Sequence, residues 1–268
     1  MMNFREMHKP GDPFILANAW DVGSAKMLQG LGAKAIGTSS AAHAFTLGRT
    51  DGGNVTRDEA LAHAQDLIAA VDIPVSGDFE DGFAEAPDAC AETVRLSAEI
   101  GLAGICIEDT IEASNQVYDF DLAVERVRAA ASAASAARAL GDDFFFVARA
   151  DGVMTQAYDI EEALRRIRAF DRAGADGLYV PIPNSMDDLK RIIEATDKPV
   201  NVLAAGPYAR HSHQEFAALG AARISIGSAL ARATHRIIHD AGRSMFEQGD
   251  FSALTQGISG AKVDKLMN

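Results

Sequence analysis

The chain has 268 residues, 48% of them hydrophobic, which is enough to bury one large core. Its formal net charge is −13, which argues against nucleic acid as a partner because phosphate backbones require clustered positive charge. No apolar run approaches the roughly 20 residues that span a bilayer, and no signal peptide is recognised. Cys90 and Cys106 give no disulfide framework or zinc motif, and we interpret Cys106 as a core thiol. We therefore expect a cytoplasmic protein without a membrane partner.

Short apolar runs alternate with longer amphipathic segments along the chain, a pattern typical of buried strands that alternate with helices. The predicted strands cover residues 14–17, 34–38, 73–78, 103–108, 144–149, 177–181, 199–204 and 223–227. The predicted helices cover residues 21–31, 56–70, 87–101, 119–139, 158–173, 186–196 and 212–219, and a last one begins near 228. The Ala-rich stretch 129–140 is predicted to lie in a tightly packed helix, because Ala is the best helix former.

This alternation predicts a parallel sheet with right-handed crossovers. About eight strand–helix units favour a (β/α)8 barrel of the TIM type over an open sheet. An open Rossmann-like sheet would need a GxGxxG turn after the first strand, where the sequence instead reads NAWDVGSA. We predict a single domain over residues 1–268, in which a helical segment from about 228 to 268 packs on a neighbouring subunit.

Acidic residues follow two neighbouring predicted strands, where barrels of this type have their active sites. The third strand ends at Asp78, and Glu80 would share its face by the strand period of two. The fourth strand ends at Glu108. Three converging carboxylates need a cation, and oxygen ligands favour Mg²⁺ or Mn²⁺. For any one of these acids, capping a helix or binding backbone N–H groups is the alternative.

Other strand ends carry residues suited to binding an anion. Arg149 follows the fifth strand, where its fork can bind a carboxylate or phosphate, or else pair with a neighbouring Glu. After the second strand, the turn at Ser39, Ser40 and Ala41 can offer hydroxyl and backbone N–H donors to a substrate oxyanion. The polar, Gly-rich segment 48–56 is predicted to be a mobile lid.

Four motifs in this order resemble those of the isocitrate lyase/phosphoenolpyruvate mutase superfamily. They are TSS (38–40), DFEDGF (78–83), CIEDT (106–110) and VARAD (147–151). The resemblance covers roughly residues 10–235. It is specific because all four motifs recur at matching strand ends, whereas any one of them alone would be weak.

The resemblance implies a role for each matching residue. Asp78 matches the principal Mg²⁺-associated aspartate, and Glu108 matches the glutamate that reaches the metal, often through water. Glu80 stands at the position of a second aspartate and would act through water. Arg149 matches the arginine that holds the substrate carboxylate, and Asp51 matches an aspartate on the gating loop of the mutase branch. We take Asp51 and Arg149 as the catalytic candidates.

The resemblance also implies substrate contacts. Where the sequence departs from the family's motifs, it limits which reactions are expected. Ser39 and Ala41 match positions that contact the bound acid in the mutase branch. The isocitrate and methylisocitrate lyases carry a Lys-(Lys/Arg)-Cys-Gly-His loop, but residues 110–116 contain no Cys, Lys or His, so we do not expect those cleavages. Phosphonate-handling members carry a Lys and an Asn in this loop; Asn115 is a candidate substrate ligand, and the Lys is missing.

We predict a Mg-dependent enzyme that acts on a small anionic 2-oxo acid, with C–C lyase or decarboxylase chemistry through a metal-stabilised enolate. One alternative is a P–C bond enzyme of the phosphonopyruvate or carboxyphosphonoenolpyruvate mutase type. Another is a weakly catalytic protein that binds 2-oxo acids. The general acid or base is unassigned. The resemblance further implies a homo-oligomer, either a dimer or a tetramer.

Overall fold

The computed structural model describes residues 3–111, 114, 116–141 and 143–267. In this part of the chain the strands are β1 (Phe14–Asn18), β2 (Ala35–Gly37), β3 (Val75–Asp78), β4 (Gly104–Ile107), β5 (Thr110–Ile111), β6 (Gln116–Val117), β7 (Phe145–Arg149), β8 (Gly177–Tyr179), β9 (Val200–Leu203) and β10 (Arg223–Ser225). Eight of these described strands are parallel and close into a barrel in the order β1-β10-β9-β8-β7-β4-β3-β2. The remaining two, β5 and β6, form an antiparallel hairpin after β4. The predicted (β/α)8 barrel is confirmed.

Helices follow the strands on the outside of the barrel. They are α1 (Val22–Gly30), α2 (Ser40–Thr46), α3 (Arg57–Ala70), α4 (Pro87–Glu99), α5 (Phe120–Ala139), α6 (Ile160–Ala173), α7 (Met186–Glu194), α8 (His213–Leu219), α9 (Ala229–Arg243) and α10 (Gly260–Met267). The Ala-rich stretch lies in α5 with Ala130 and Ala134 fully buried, as predicted. Helix α2 was not predicted, because its start was interpreted as a turn; the Ser39 hydroxyl caps it by accepting from the Ala42 N–H.

The two halves of the barrel interior differ in the size of their side chains. On β2, β3 and β4 the inward positions hold the small residues Ala35, Gly37, Ser76 and Gly104. The flanking strands β1 and β7 supply a cluster that closes the bottom with the N-terminal segment and contains Phe4, Met7, Phe14, Phe145 and Val147. Because the small residues leave their half unfilled, a cavity of about 860 Å³ runs from the C-terminal mouth into the barrel.

The C-terminal segment leaves apolar side chains in solvent. After α9 come a π-helical turn (Ser244–Gln248), a short 3₁₀ helix (Ser252–Gln256) and then α10. Helix α10 returns to α1 of the same chain, where Lys26 Nζ donates to the Met267 carbonyl at 3.2 Å. The large apolar residues that are more than half exposed in this segment are Ile237, Ile238, Phe246, Phe251, Leu254 and Ile258.

None of the helices in the described ranges has the length and apolar character needed to cross a membrane.

The packing of neighbouring barrel strands should leave no room for a side chain at Gly104. A Cβ at this position would overlap the carbonyl oxygen of Phe145 on the neighbouring strand, whereas a Cβ at Gly260 would meet nothing within 4 Å. We expect Gly104→Ala to lower the free energy of unfolding by about 1 to 3 kcal/mol. Gly260→Ala is the control and should change it by less than about 0.5 kcal/mol. Urea denaturation measures both, and equal effects would contradict this view of the interior.

Candidate active site

The cavity opens where the barrel strands end. Its wall contains most of the predicted site residues, namely Ser39, Ser40, Ala41, Asp51, Asp78, Glu108 and Arg149. The predicted substrate ligand Asn115 lies outside the described residues. The polar residues from the ends of β2, β3, β4 and β7 therefore share one site, as parallel strands in a barrel require.

Arg149 connects the acidic residues of this site. Its Nη1 lies 2.9 Å from Asp78 Oδ1 and 2.8 Å from Glu108 Oε1. Its Nε and Nη2 bind both oxygens of Asp151, at 3.1 and 2.5 Å. Burial alone would lower the pKa of Arg149, but the carboxylates of Asp151, Glu108 and Asp78 raise it well above its usual value. The guanidinium is therefore a fixed positive charge that holds three strand ends together.

Asp78 is oriented by the residues that follow β2. Its Oδ2 accepts hydrogen bonds from the Ser40 N–H at 3.0 Å and from the Ser40 hydroxyl at 2.9 Å. Its own N–H donates to the Thr38 hydroxyl at 2.7 Å. The Ser40 donors that we assigned to a substrate oxyanion are thus bonded to Asp78, and the Ser39 hydroxyl caps α2. In this structure the two hydroxyls orient protein groups.

Glu80 does not share the strand face of Asp78, so the predicted strand geometry is wrong at this position. β3 ends at Asp78, and Glu80 adopts a left-handed conformation with φ 45°. Its buried side chain lines a smaller cavity beside His43 and His63. Burial, followed by the carboxylates of Asp78 and Glu108, raises the pKa of Glu80 to about 8. Glu80 still belongs to the acidic cluster, but it lies behind Asp78.

The acidic cluster has the chemistry of a site for a hydrated divalent cation. In the ranges that the structure describes, no three His, Cys, Asp or Glu side chains form a ready-made ligand set. The Asp78 and Glu108 oxygens that share Arg149 Nη1 are less than about 6 Å apart, a gap that Mg²⁺ and its waters can bridge. Asp51 and Glu80 are further acids nearby, each with a raised pKa. Asp78 and Glu108 would therefore hold the ion, with Glu80 as a more distant acid.

A second, largely buried layer supports Arg149 from behind. The N–H of Asp151 donates to Asp109 Oδ1 at 2.8 Å. Asp109 Oδ2 accepts from the Tyr158 hydroxyl at 2.7 Å and from Arg166 Nη1 at 3.0 Å. The carboxylate of Asp151 pairs with Arg149. Sequence reasoning missed Asp109 because its partners lie more than forty residues away.

Two residues of the cavity wall were misjudged or missed in the sequence. Cys106 is not a core thiol: it lines the cavity with its Sγ 3.4 Å from Asp78 Oδ1, and burial raises its pKa to about 12. Arg223 also lines the cavity, although the sequence suggested only a charge at the start of a strand. Its inward direction follows from its register with Phe14 and Asn201 on the neighbouring strands, which no local signal in the sequence shows.

The loop over the mouth places Asp51 beside the acidic cluster. Partial burial and the Asp78 carboxylate raise the pKa of Asp51. The loop tip is held by its own bonds, since Asn54 Nδ2 donates to the Gly52 carbonyl at 3.1 Å. At its base, Arg49 forms a 2.9 Å ion pair with Glu59 of α3. Asp51 is thus carried on a small folded unit at the edge of the cavity.

The structure is a (β/α)8 barrel with acidic residues around its C-terminal mouth. Comparison with known proteins identifies the family. Residues 4–246 match the family described as phosphoenolpyruvate phosphomutase. An uncharacterised protein of Mycobacterium tuberculosis (strain H37Rv) is 35% identical over 85% of this chain and 82% of its own. The 2,3-dimethylmalate lyase of Eubacterium barkeri is 30% identical over 71% of this chain and 66% of its own. A crystal structure of a putative lyase/mutase from Burkholderia cenocepacia J2315 superposes with a TM-score of 0.91 at 39% identity, covering 98% of this chain and 93% of that one.

The chain belongs to the isocitrate lyase/phosphoenolpyruvate mutase superfamily. The resemblance found in its four strand-end motifs is thereby confirmed. Named relatives in this superfamily are lyases or phosphonomutases.

The buried ion pair of Arg166 with Asp109 should contribute more to stability than the exposed pair of Arg165 with Glu162. The side chain of Arg166 is 5% exposed and neutralises buried Asp109, whereas that of Arg165 is 56% exposed and pairs with Glu162. Arg166→Met leaves Asp109 unpaired and should cost about 3 to 5 kcal/mol of stability. Arg165→Met is the matched control and should cost less than about 1 kcal/mol. Chemical denaturation of both variants tests this, and similar losses would show that the buried pair has no special weight.

Proposed function

We propose that the protein is a Mg²⁺-dependent enzyme, also able to use Mn²⁺, that acts on a small 2-oxo acid. The reaction would be C–C bond cleavage or decarboxylation. The observation that carries this proposal is the shared contact of Asp78 and Glu108 with one nitrogen of Arg149 at the floor of the mouth. Two carboxylates and one guanidinium within hydrogen-bond reach provide both a cation site and an anion site.

The bound ion would supply Lewis acidity that stabilises an enolate. Asp78 is preset for its role by two hydrogen bonds from Ser40. Arg149 keeps Asp151 as a permanent partner, which fixes its planar guanidinium. Its Nη1 would become available to a substrate carboxylate once Asp78 and Glu108 turn towards the cation. The backbone at Ala41 lies in the wall beside them, where it can contact the acid. Asp51 would approach from the loop above.

The negative charge of the site favours a reaction at a C–C bond over a reaction at a P–C bond. Asp51, Asp78, Glu80 and Glu108 interact with one another across the mouth. A phosphonate carries more negative charge than a carboxylate and would need more cationic partners. Residues 110–116 contain no Lys to supply one. The loop 110–116 therefore offers a phosphonate no cationic partner, which favours a carboxylate substrate.

Turnover of oxaloacetate tests the proposal directly. We expect wild-type protein to consume oxaloacetate with Mg²⁺ or Mn²⁺, to lose this activity in EDTA, and to leave phosphonopyruvate intact. Product analysis by NMR distinguishes decarboxylation from hydrolytic cleavage. Turnover of phosphonopyruvate alone would establish the P–C alternative, and binding of both acids without turnover would establish a binding protein.

Replacing Asp51 should lower kcat more than it weakens Mg²⁺ binding. The loop that carries it is positioned to close over the ligand and exclude water, so its contacts would form mainly in the closed state. We expect Asp51→Ala to lower kcat at least about tenfold and to change Mg²⁺ affinity less than about threefold. Asp58→Ala, on the exposed first turn of α3, is the control and should alter neither. An unchanged kcat for Asp51→Ala would remove this loop from the mechanism.

We also propose that the protein is a homo-oligomer, a dimer or a tetramer, through its C-terminal segment. Six large apolar side chains between residues 237 and 258 are more than half exposed. Many exposed apolar side chains within one segment are typical of interfaces in soluble proteins. Because α10 packs on α1 of its own chain, the face available to a second copy is formed by α9 and the turns after it.

A single charge on this face should dissociate the oligomer. Phe246 is 88% exposed in the proposed interface, and Leu140 is 87% exposed at the end of α5. Phe246→Asp should give a monomer in light scattering at micromolar concentration, whereas Leu140→Asp should keep the wild-type mass. A wild-type monomer, or equal effects of the two substitutions, would contradict the interface.

A further inference from the structure

The floor of the cavity contains a second guanidinium that the proposed mechanism does not use. Arg223 projects inward from β10 and is only 3% exposed, yet it lines the cavity. The strand register joins it to Arg149 through Tyr179 and Asn201, each paired with the next. Because barrel strands tilt, this row of inward residues winds around one half of the interior. Both guanidinium groups therefore border the same cavity.

Arg223 is held in place but its charge is not neutralised. Its Nε donates to Asn201 Oδ1 at 2.8 Å, and Asn201 Nδ2 donates in turn to the Ser225 hydroxyl at 2.9 Å. Its Nη1 is buried without a hydrogen-bond partner in the described residues. Asp78 acts on it only at longer range, and burial lowers the pKa of Arg223. A buried charge without a counter-ion is unfavourable unless something else compensates it.

The unpartnered nitrogen of His8, on which the charge of Arg223 acts, cannot compensate this charge. His8 Nε2 is also buried without a partner, while its Nδ1 contacts the Phe4 carbonyl at 3.0 Å and its ring stacks on Phe145. Burial and the Arg223 charge lower the pKa of His8 to about 3, so the ring is neutral. A water between His8 and Arg223 would satisfy hydrogen bonds but would leave the positive charge uncompensated.

Arg149 differs from Arg223 in this respect, because three carboxylates already surround it. The interior across from Arg223 is also open, since the small residues Gly37 and Ser76 line the same cavity. Room, a fixed donor and an unbalanced positive charge therefore occur together at the floor. This combination is suited to a carboxylate.

We propose that Arg223 binds the second carboxylate of a dicarboxylic 2-oxo acid, so that the enzyme selects diacids over monoacids. The inference rests on the proposed function, because the first carboxylate and the oxo group would occupy the site at Asp78, Glu108 and Arg149. A monoacid would leave the floor empty and Arg223 uncompensated. Arg223 is thus a specificity residue at the end of the substrate away from the metal.

Binding of two probes that differ in the second carboxylate tests this inference. The probes are pyruvate and difluorooxaloacetate, each titrated calorimetrically with Mg²⁺ into wild-type protein, Arg223→Met and Arg223→Lys. Arg223→Met should weaken the binding of difluorooxaloacetate at least about tenfold, because a charged hydrogen bond is lost. It should weaken the binding of pyruvate less than about twofold. Arg223→Lys keeps the positive charge but loses the forked guanidinium. Its affinity for difluorooxaloacetate should therefore lie between those of wild type and Arg223→Met.

The control is Arg232→Met, which removes a cation from the exposed rim of the same cavity. It should change the affinity for either probe less than about twofold, because exposed charges contribute little. Arg223→Met should also keep the wild-type Tm, since it removes an uncompensated charge; if it unfolds, the comparison of the two probes is made with Arg223→Lys.

Two results would overturn the inference. Equal losses for both probes would make Arg223 a structural residue, and no loss for either would mean that Nη1 holds only water. Failure of wild-type protein to bind either probe with Mg²⁺ is a different result: it would overturn the proposed function, and the assignment of Arg223 with it.

Discussion

The candidate site depends on one buried guanidinium that three strands share. Arg149 reaches Asp78 from β3 and Glu108 from β4, and it keeps Asp151 beside its own strand. Without that charge, carboxylates at neighbouring strand ends would repel one another and separate. Because Asp151 holds two of its nitrogens, Arg149 can release the other two acids and still remain paired. The arrangement thus permits exchange between an internal ion pair and a bound cation with its anionic ligand.

Support for Arg149 comes from packing and hydrogen bonds outside the cavity. Asp109 receives the N–H of Asp151 and is itself fixed by Tyr158 and Arg166. The site is therefore connected to α6 through buried polar contacts, which are costly to break when one partner is lost. The opposite side is different, since small inward residues on β2 to β4 leave space for a ligand. Rigid support on one side and open volume on the other are the properties expected of a ligand-binding site.

The fold was readable from the sequence because its signals are local. Short apolar runs and Ala-rich or amphipathic segments gave every barrel strand and the helices between them, apart from α2. The strand-end positions of Asp78, Glu108 and Arg149 were equally local. What the sequence could not show were conformations and distant partners: Glu80 leaves the strand face by a left-handed turn, and Arg223 turns inward to a cavity formed by other strands.

The central claim is that Asp78 and Glu108 hold a divalent ion at the mouth of the barrel, and Mn²⁺ binding tests it without any assumption about the substrate. Electron paramagnetic resonance of free Mn²⁺ during titration gives the number of bound ions per chain and their affinity. We predict one ion per wild-type chain, and at least about a tenfold weaker affinity in Asp78→Asn and in Glu108→Gln, because each variant removes one carboxylate ligand. Mn²⁺ binding that both substitutions leave unchanged, or no binding to the wild-type protein, would contradict the account.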